Sequence, residues 1–246
     1  MSLSHDEGWS IPFDRPFYPA LPANYRNVRF QYVFFRTEPS AGEHLLPDPL
    51  EPSDDGLCFA CGLVVPFCSS YGSFQEAYVQ QSCSFRGQDG WYCSHVLHDG
   101  PAGIAAGREI YGTPKIFAEM EVKQVDRVMT TTGRMGGLPV ITVASTAESP
   151  CSPEEMLRPS PSWRLKIIPR ADGPGPAIKQ LIDGSPAAQD IQVHTCFKGT
   201  GTVRFDANPL CDLSALKPIE FLDAYYLEMS FSEGFAEIAY DYLTTQ

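Results

Sequence analysis

Short runs rich in β-branched and aromatic residues recur along this chain, each closed by Gly, Pro, Asn or Asp. The first, at 28–37, reads Val-Arg-Phe-Gln-Tyr-Val-Phe-Phe-Arg-Thr, a strand composition. Further strand signals fall at 57–66, 74–86, 91–98, 119–129 and 138–146, then at 163–168, 191–197 and 201–205, and finally within 220–243. Helix signals are few. Residues 38–56 read as a proline-rich acidic loop with a short helix near 43–46, and Ser152-Pro153-Glu154-Glu155 carries a capping box that opens a short helix. A further helix is expected near 176–183. Many strands joined by short turns predict a mainly antiparallel β fold, a barrel or sandwich with a few short peripheral helices.

No Gly/Ser linker or internal repeat divides the 246 residues, so one domain over 1–246 is expected. Residues 1–24 hold Pro12, Phe13, Pro16, Phe17, Pro19 and Pro22. That composition suits an extended arm lying over the core or over a neighbouring subunit. A net charge of −12 opposes nucleic acid, where Lys and Arg dominate the contacts, and opposes an anionic membrane surface. No apolar run approaches the roughly 20 residues of a membrane span, and the N-terminus has no signal-peptide pattern. Cytoplasmic residence is therefore expected, with the eight cysteines as reduced thiols. Cys58 and Cys61 form a C-x-x-C, but on a strand residues three apart face opposite ways. The same holds for His95 and His98, so neither a metal nor another cofactor is expected.

Chemistry centres on Gly107-Arg108-Glu109-Ile110-Tyr111-Gly112-Thr113-Pro114-Lys115-Ile116-Phe117-Ala118-Glu119. An exposed lysine titrates near 10.4, and burial among apolar groups can lower that by roughly 3–5 pH units. A neutral lysine attacks ketones to form a Schiff base. Lys115 alone among the lysines considered precedes an apolar triplet, Ile116-Phe117-Ala118. Lys123 sits on a charged strand face, Lys179 falls in a short amphipathic run, Lys198 precedes a turn and Lys217 a proline, and Lys166 shares a strand face with Arg164. Spacing alone still favours a surface lysine on a β-hairpin, so the residue type does not decide the matter.

The segment 107–115 resembles the active-site lysine segment of the acetoacetate decarboxylase family. The resemblance continues through Phe74-Gln75-Glu76, Phe85-Arg86-Gly87, Gly90-Trp91-Tyr92, Leu165-Lys166-Ile167-Ile168-Pro169 with Asp172-Gly173, and Tyr240-Asp241-Tyr242-Leu243, in family order. It implies a closed, cone-shaped antiparallel β-barrel with Lys115 pointing inside, and a homo-oligomer. It also implies Glu76 as the second catalytic residue and a pocket that includes Gln75, Leu97 and Thr113. Arg108 and Glu109 are expected to form a charge pair holding the strand of Lys115. Activation of such a lysine by desolvation or a second cation is the family's own mechanism, inherited through the resemblance.

Three departures from the family bear on the substrate. The second lysine is Ile116, an acidic pocket residue is Cys61, and the substrate-side arginine aligns with Val28. Arg29 is adjacent but of opposite strand parity, and Arg26 is a further choice. Each change removes charge, so the expected activity is decarboxylation of a β-keto acid larger or less polar than acetoacetate, through a lysine imine. Two alternatives stay open: an aldolase-dehydratase or cyclase using the same lysine on a keto acid or ketone, and a non-catalytic barrel that binds an apolar small molecule.

Overall fold

The computed structural model describes residues 7–156 and 160–244. The first six residues of the predicted arm lie outside them. The strands in chain order are β1 (Ala23–Arg36), β2 (Glu51–Pro52), β3 (Leu57–Val65), β4 (Phe67–Cys68), β5 (Phe74–Phe85) and β6 (Gln88–His98). After helix α1 (Pro101–Tyr111) come β7 (Lys115–Phe117), β8 (Glu119–Val125), β9 (Val128–Met135), β10 (Leu138–Thr146) and β11 (Ser149–Pro150). The last group is β12 (Ser162–Pro169), β13 (Pro176–Asp183), β14 (Ala188–Gly199), β15 (Gly201–Phe205), β16 (Glu220–Glu233) and β17 (Glu237–Asp241).

A large sheet runs β11-β14-β16-β1-β3-β5-β6-β12-β13-β17, and a four-stranded sheet, β15-β10-β9-β8, packs on it. The mainly antiparallel β prediction holds; the sheet path has β11 and β17 at its ends, and closure into a barrel is not seen among the described strands. Strand β6 is where the antiparallel pairing is interrupted. One stretch of its outer edge takes the short parallel strand β7, and another takes two residues of β12, also parallel, so neither continues the antiparallel ladder in full.

Strand β1 is apolar on both sides because both sides are covered. Phe30, Tyr32 and Phe34 join an aromatic cluster with Phe59, Phe74 and Trp91 on one face of the sheet. Val33 and Phe35 pack with Ala60, Val79, Leu97, Ile141 and Val143 between the two sheets. The one polar residue of β1 facing that second core, Gln31, is fully buried and satisfied. Its amide donates to the Met129 carbonyl at 2.6 Å and to Ser145 at 2.9 Å, and accepts from Thr131 at 2.9 Å.

Three local expectations are corrected. The predicted strand 119–129 is two strands, β8 and β9, because Asp126 takes φ 52° and turns the chain into a hairpin, a conformation Asp tolerates. The helix expected near 176–183 is β13. Its apolar residues fit either period, and pairing with β12 decides for the strand. Conversely, α1 lies where no helix was predicted, since Gly103 and Gly107 carry a helix penalty of about 1 kcal/mol each. Near the N-terminus Trp9 packs edge-on against Phe235 at 6.2 Å, and the Tyr18 hydroxyl donates to Glu109 on the same chain's α1. No helix among the described residues is long and apolar enough to cross a membrane.

Candidate active site

Helix α1 ends at Gly112, which takes the left-handed conformation at φ 67° that favours glycine after a helix. Thr113 then donates its N–H back to the Gly107 carbonyl at 2.9 Å. This tight exit delivers Lys115 to the start of β7, opposite Val96 of β6. On the other edge of β6, His98 stands opposite Glu76 of β5. Val96 and His98 are two apart and share a face, so the three strands bring Lys115, His98 and Glu76 onto one side of the sheet.

There the Lys115 Nζ lies 2.9 Å from Glu76 Oε2, with both side chains nearly buried. The angle at this contact is poor, and Glu76 Oε2 has no hydrogen-bond partner of good geometry. The ring centre of Phe74 is 5.5 Å from Nζ. Gly107 floors the lysine: a Cβ there would fall 2.7 Å from Lys115 Cδ, so only glycine leaves the stem its path. Arg108 donates to the Lys115 carbonyl at 3.1 Å and steadies the strand. The expected Arg108–Glu109 charge pair is not formed. Both residues lie on α1, and Glu109 accepts instead from Tyr18.

His98 is fully buried and stacked on Phe74 at 4.3 Å. Its Nδ1 accepts the Gly100 N–H at 2.7 Å, which leaves the ring proton on Nε2, 3.7 Å from Glu76 Oε2. Burial first, and the Lys115 charge second, push its pKa down to about 2. The imidazole is therefore neutral.

These groups open into a cavity of about 230 Å³. Its walls include Tyr25, Phe30, Phe74, Tyr78, Met229 and Phe231, with Arg164 and Glu233 as charged groups beyond Lys115 and Glu76. Glu233 accepts from the Tyr25 hydroxyl at 2.8 Å. The wall also holds Cys93, whose thiol burial pushes up to about 12.

Of the residues expected from sequence, Lys115, Glu76 and Thr113 line the cavity. Gln75, Leu97, Ile116 and Arg29 do not, and all four miss by strand parity. Gln75 accepts the Val122 N–H at 2.6 Å, while Leu97 and Ile116 pack between the sheets. Arg29 donates outward to Gln124 at 3.2 Å, and Val28 takes the pocket side, as regular alternation requires. Cys61 has the right parity but sits fully buried in the aromatic cluster, not on the cavity wall. Cys58 lies in the other core, so the C-x-x-C pair is split between faces.

The apolar triplet after Lys115 is not what buries it. Ile116 turns away and Phe117 is exposed, and the walls come from Phe74, Val96, Gly103 and Gly107. The second-choice Lys166 stays outside the cavity and donates to the Ile110 carbonyl near the C-terminus of α1 at 3.2 Å, where a cation is favoured. Sequence reasoning missed Arg164, Glu233 and His98. Only Arg164 had a visible signal, as one of two charged positions, with Lys166, on one face of a strand whose other face is apolar.

The profile of the family described as Acetoacetate decarboxylase (ADC) matches residues 7–243. An "Acetoacetate decarboxylase 2" of Mesorhizobium japonicum is 25% identical over 238 residues, covering 96% of this chain and 90% of that protein. Among solved structures, the acetoacetate decarboxylase of Legionella pneumophila superposes with a TM-score of 0.86 at 22% identity, covering 99% of this chain and 100% of that one. The enduracididine biosynthesis enzyme MppR, complexed with the condensation product of pyruvate and imidazole 4-carboxaldehyde, superposes with a TM-score of 0.83 at 19% identity, covering 98% and 100%.

Proposed function

Because the chain belongs to the acetoacetate decarboxylase family, we propose that it is a Schiff-base-forming lyase that decarboxylates a β-keto acid. Lys115 is the nucleophile and Glu76 the group that moves protons. The observation that carries this reading is the 2.9 Å approach of Lys115 Nζ to Glu76 Oε2 inside a substrate-sized cavity.

In this mechanism the amine form of Lys115 adds to the ketone carbon. Protons passed through Glu76 help water leave, and a protonated imine results. The bond to the carboxylate carbon breaks, its electrons flow into the imine to give an enamine, and carbon dioxide departs. Protonation of the enamine carbon and hydrolysis release the ketone and restore Lys115. General acid–base help of this kind contributes about 10²–10⁴-fold. His98, neutral and tied to the backbone, limits the positions open to Glu76. The aromatic walls support a substrate with more carbon than acetoacetate.

The second reading is an aldol or dehydration reaction through the same imine, supported by the likeness of fold to MppR. A silent binding barrel is the least supported, because it gives the Lys115–Glu76 approach no task. The test is borohydride treatment with a panel of β-keto acids. Mass added at Lys115 with release of carbon dioxide is expected. Trapping without carbon dioxide favours the second reading, and no trapping with any keto acid or ketone removes the Schiff base.

A further inference from the structure

Arg164 is a charged wall of the cavity. Its Nε is buried and has no hydrogen-bond partner. It forms no ion pair among the described residues. The guanidinium rests on Gly184, where a Cβ would fall 2.2 Å from Nη1. A bare residue at 184 is thus what lets the group lie there. A buried Nε–H without an acceptor is costly, and the planar fork of donors it belongs to matches a carboxylate. Both points call for an anionic ligand.

The register says where that anion sits. Strand β12 meets β6 at Tyr92, and β7 meets it at Val96. Arg164 follows Trp163 and so stands level with Cys93, three residues from Val96, about 10 Å along a strand. Lys115 and Arg164 therefore enter the cavity from separate parts of its wall, and the Cys93 thiol feels both charges. Chemistry excludes the scissile carboxylate as the partner of Arg164. Decarboxylation turns an anion into neutral carbon dioxide, so a cation paired with that group would favour the ground state over the transition state. The partner must be a carboxylate that survives the reaction.

We propose that Arg164 binds a second, retained carboxylate, separated from the reacting ketone by at least two carbons, so that the substrate class is the β-keto dicarboxylates. This deepens the proposed function and rests on Lys115 forming the imine. Glu233, on the same cavity wall, repels a carboxylate placed beside it and so biases such a group toward Arg164.

The experiment compares borohydride trapping at Lys115 by levulinate and by methyl propyl ketone. These share the ketone and differ in the remote carboxylate. In the unaltered protein levulinate is expected to trap at a concentration about 100-fold lower, the scale of a buried charge pair. Arg164→Met should abolish that preference, raising the levulinate concentration needed to that of the neutral ketone in the same variant. Gly184→Ala, which pushes the guanidinium aside without removing it, should reduce the preference in the same direction. Equal trapping of the two compounds by the unaltered protein, or a preference unchanged in Arg164→Met, overturns the proposal. If neither compound traps, the Schiff base reading fails on its own. Calorimetric binding of levulinate then judges the arginine: loss in Arg164→Met supports the carboxylate site, and unchanged binding refutes it.

Discussion

Glu76 and His98 stand directly opposite each other across β5 and β6, with His98 Nε2 3.7 Å from Glu76 Oε2. The backbone N–H of Gly100 occupies the other ring nitrogen at 2.7 Å, so the tautomer is set by the chain itself. A buried histidine held neutral has a consequence for stability.

The pKa of His98 falls to about 2 in the fold, by burial and then by the Lys115 charge, while an unfolded histidine titrates near 6.5. Between those values the unfolded chain binds one proton more, so stability rises with pH. The stability is fully present above about pH 6.5 and is lost as pH falls, at about 1.4 kcal/mol per pH unit from this group. In denaturant unfolding between about pH 4.5 and 6.5, His98→Asn should show a slope shallower by about one proton. Parallel slopes would mean that His98 is charged in the fold.

Replacing Glu76 by Gln keeps the shape beside Lys115 and removes the carboxylate. The rate of product formation should fall by about 10²–10⁴-fold. Slow borohydride trapping at Lys115 should persist, because the nucleophile is still present. Single-turnover kinetics separates the two effects. Full activity in Glu76→Gln would assign the proton transfers to another group.

Gly107→Ala tests whether the floor under Lys115 matters to chemistry or only to the helix. Alanine in a helix interior gains about 1 kcal/mol over glycine, so thermal unfolding should not show a less stable helix. Yet the new Cβ would lie 2.7 Å from Lys115 Cδ and 3.0 Å from Cε, and the flexible lysine stem must move. Activity should drop at least tenfold, on the order expected when a reacting group is misplaced by a fraction of an ångström. A variant that is both stable and fully active would show that the stem has room elsewhere.

The junction between the sheets offers a contrasting case. A Cβ at Gly62 would meet Thr131 Oγ1 at 2.1 Å, and that hydroxyl is committed to Gln31. Gly62→Ala should cost about 1–3 kcal/mol through overpacking, visible as a fall in Tm of roughly 2–4 °C per kcal/mol. Since Gly62 faces away from the cavity, trapping at Lys115 at low temperature should be unchanged.

Strand content, a short helix within 38–56 (a single 3-10 segment, Pro39–Leu45) and the short capped helix after Ser152 were legible because each is a local matter. Side-chain period, proline and capping chemistry act over a few residues. Lys115 and Glu76 were legible through family motifs, although the local argument for Lys115 misplaced its cause: neighbours on a strand point the other way and cannot bury it. The same parity sends Gln75, Leu97, Ile116 and Arg29 away from the cavity.

What the amino-acid order determined by itself was a mainly β chain with a lysine, a glutamate and the glycines that make room for them. Only the tertiary structure decided the order of strands in the large sheet and placed Gly103 and Gly107 on a helix. The same holds for Arg164 meeting Lys115 across one cavity. These depend on pairings between residues tens of positions apart, such as Trp163 with Tyr92 and Lys115 with Val96. Local propensity carries no information about such partners, because the free energy that selects them comes from surfaces that exist only once the strands have met.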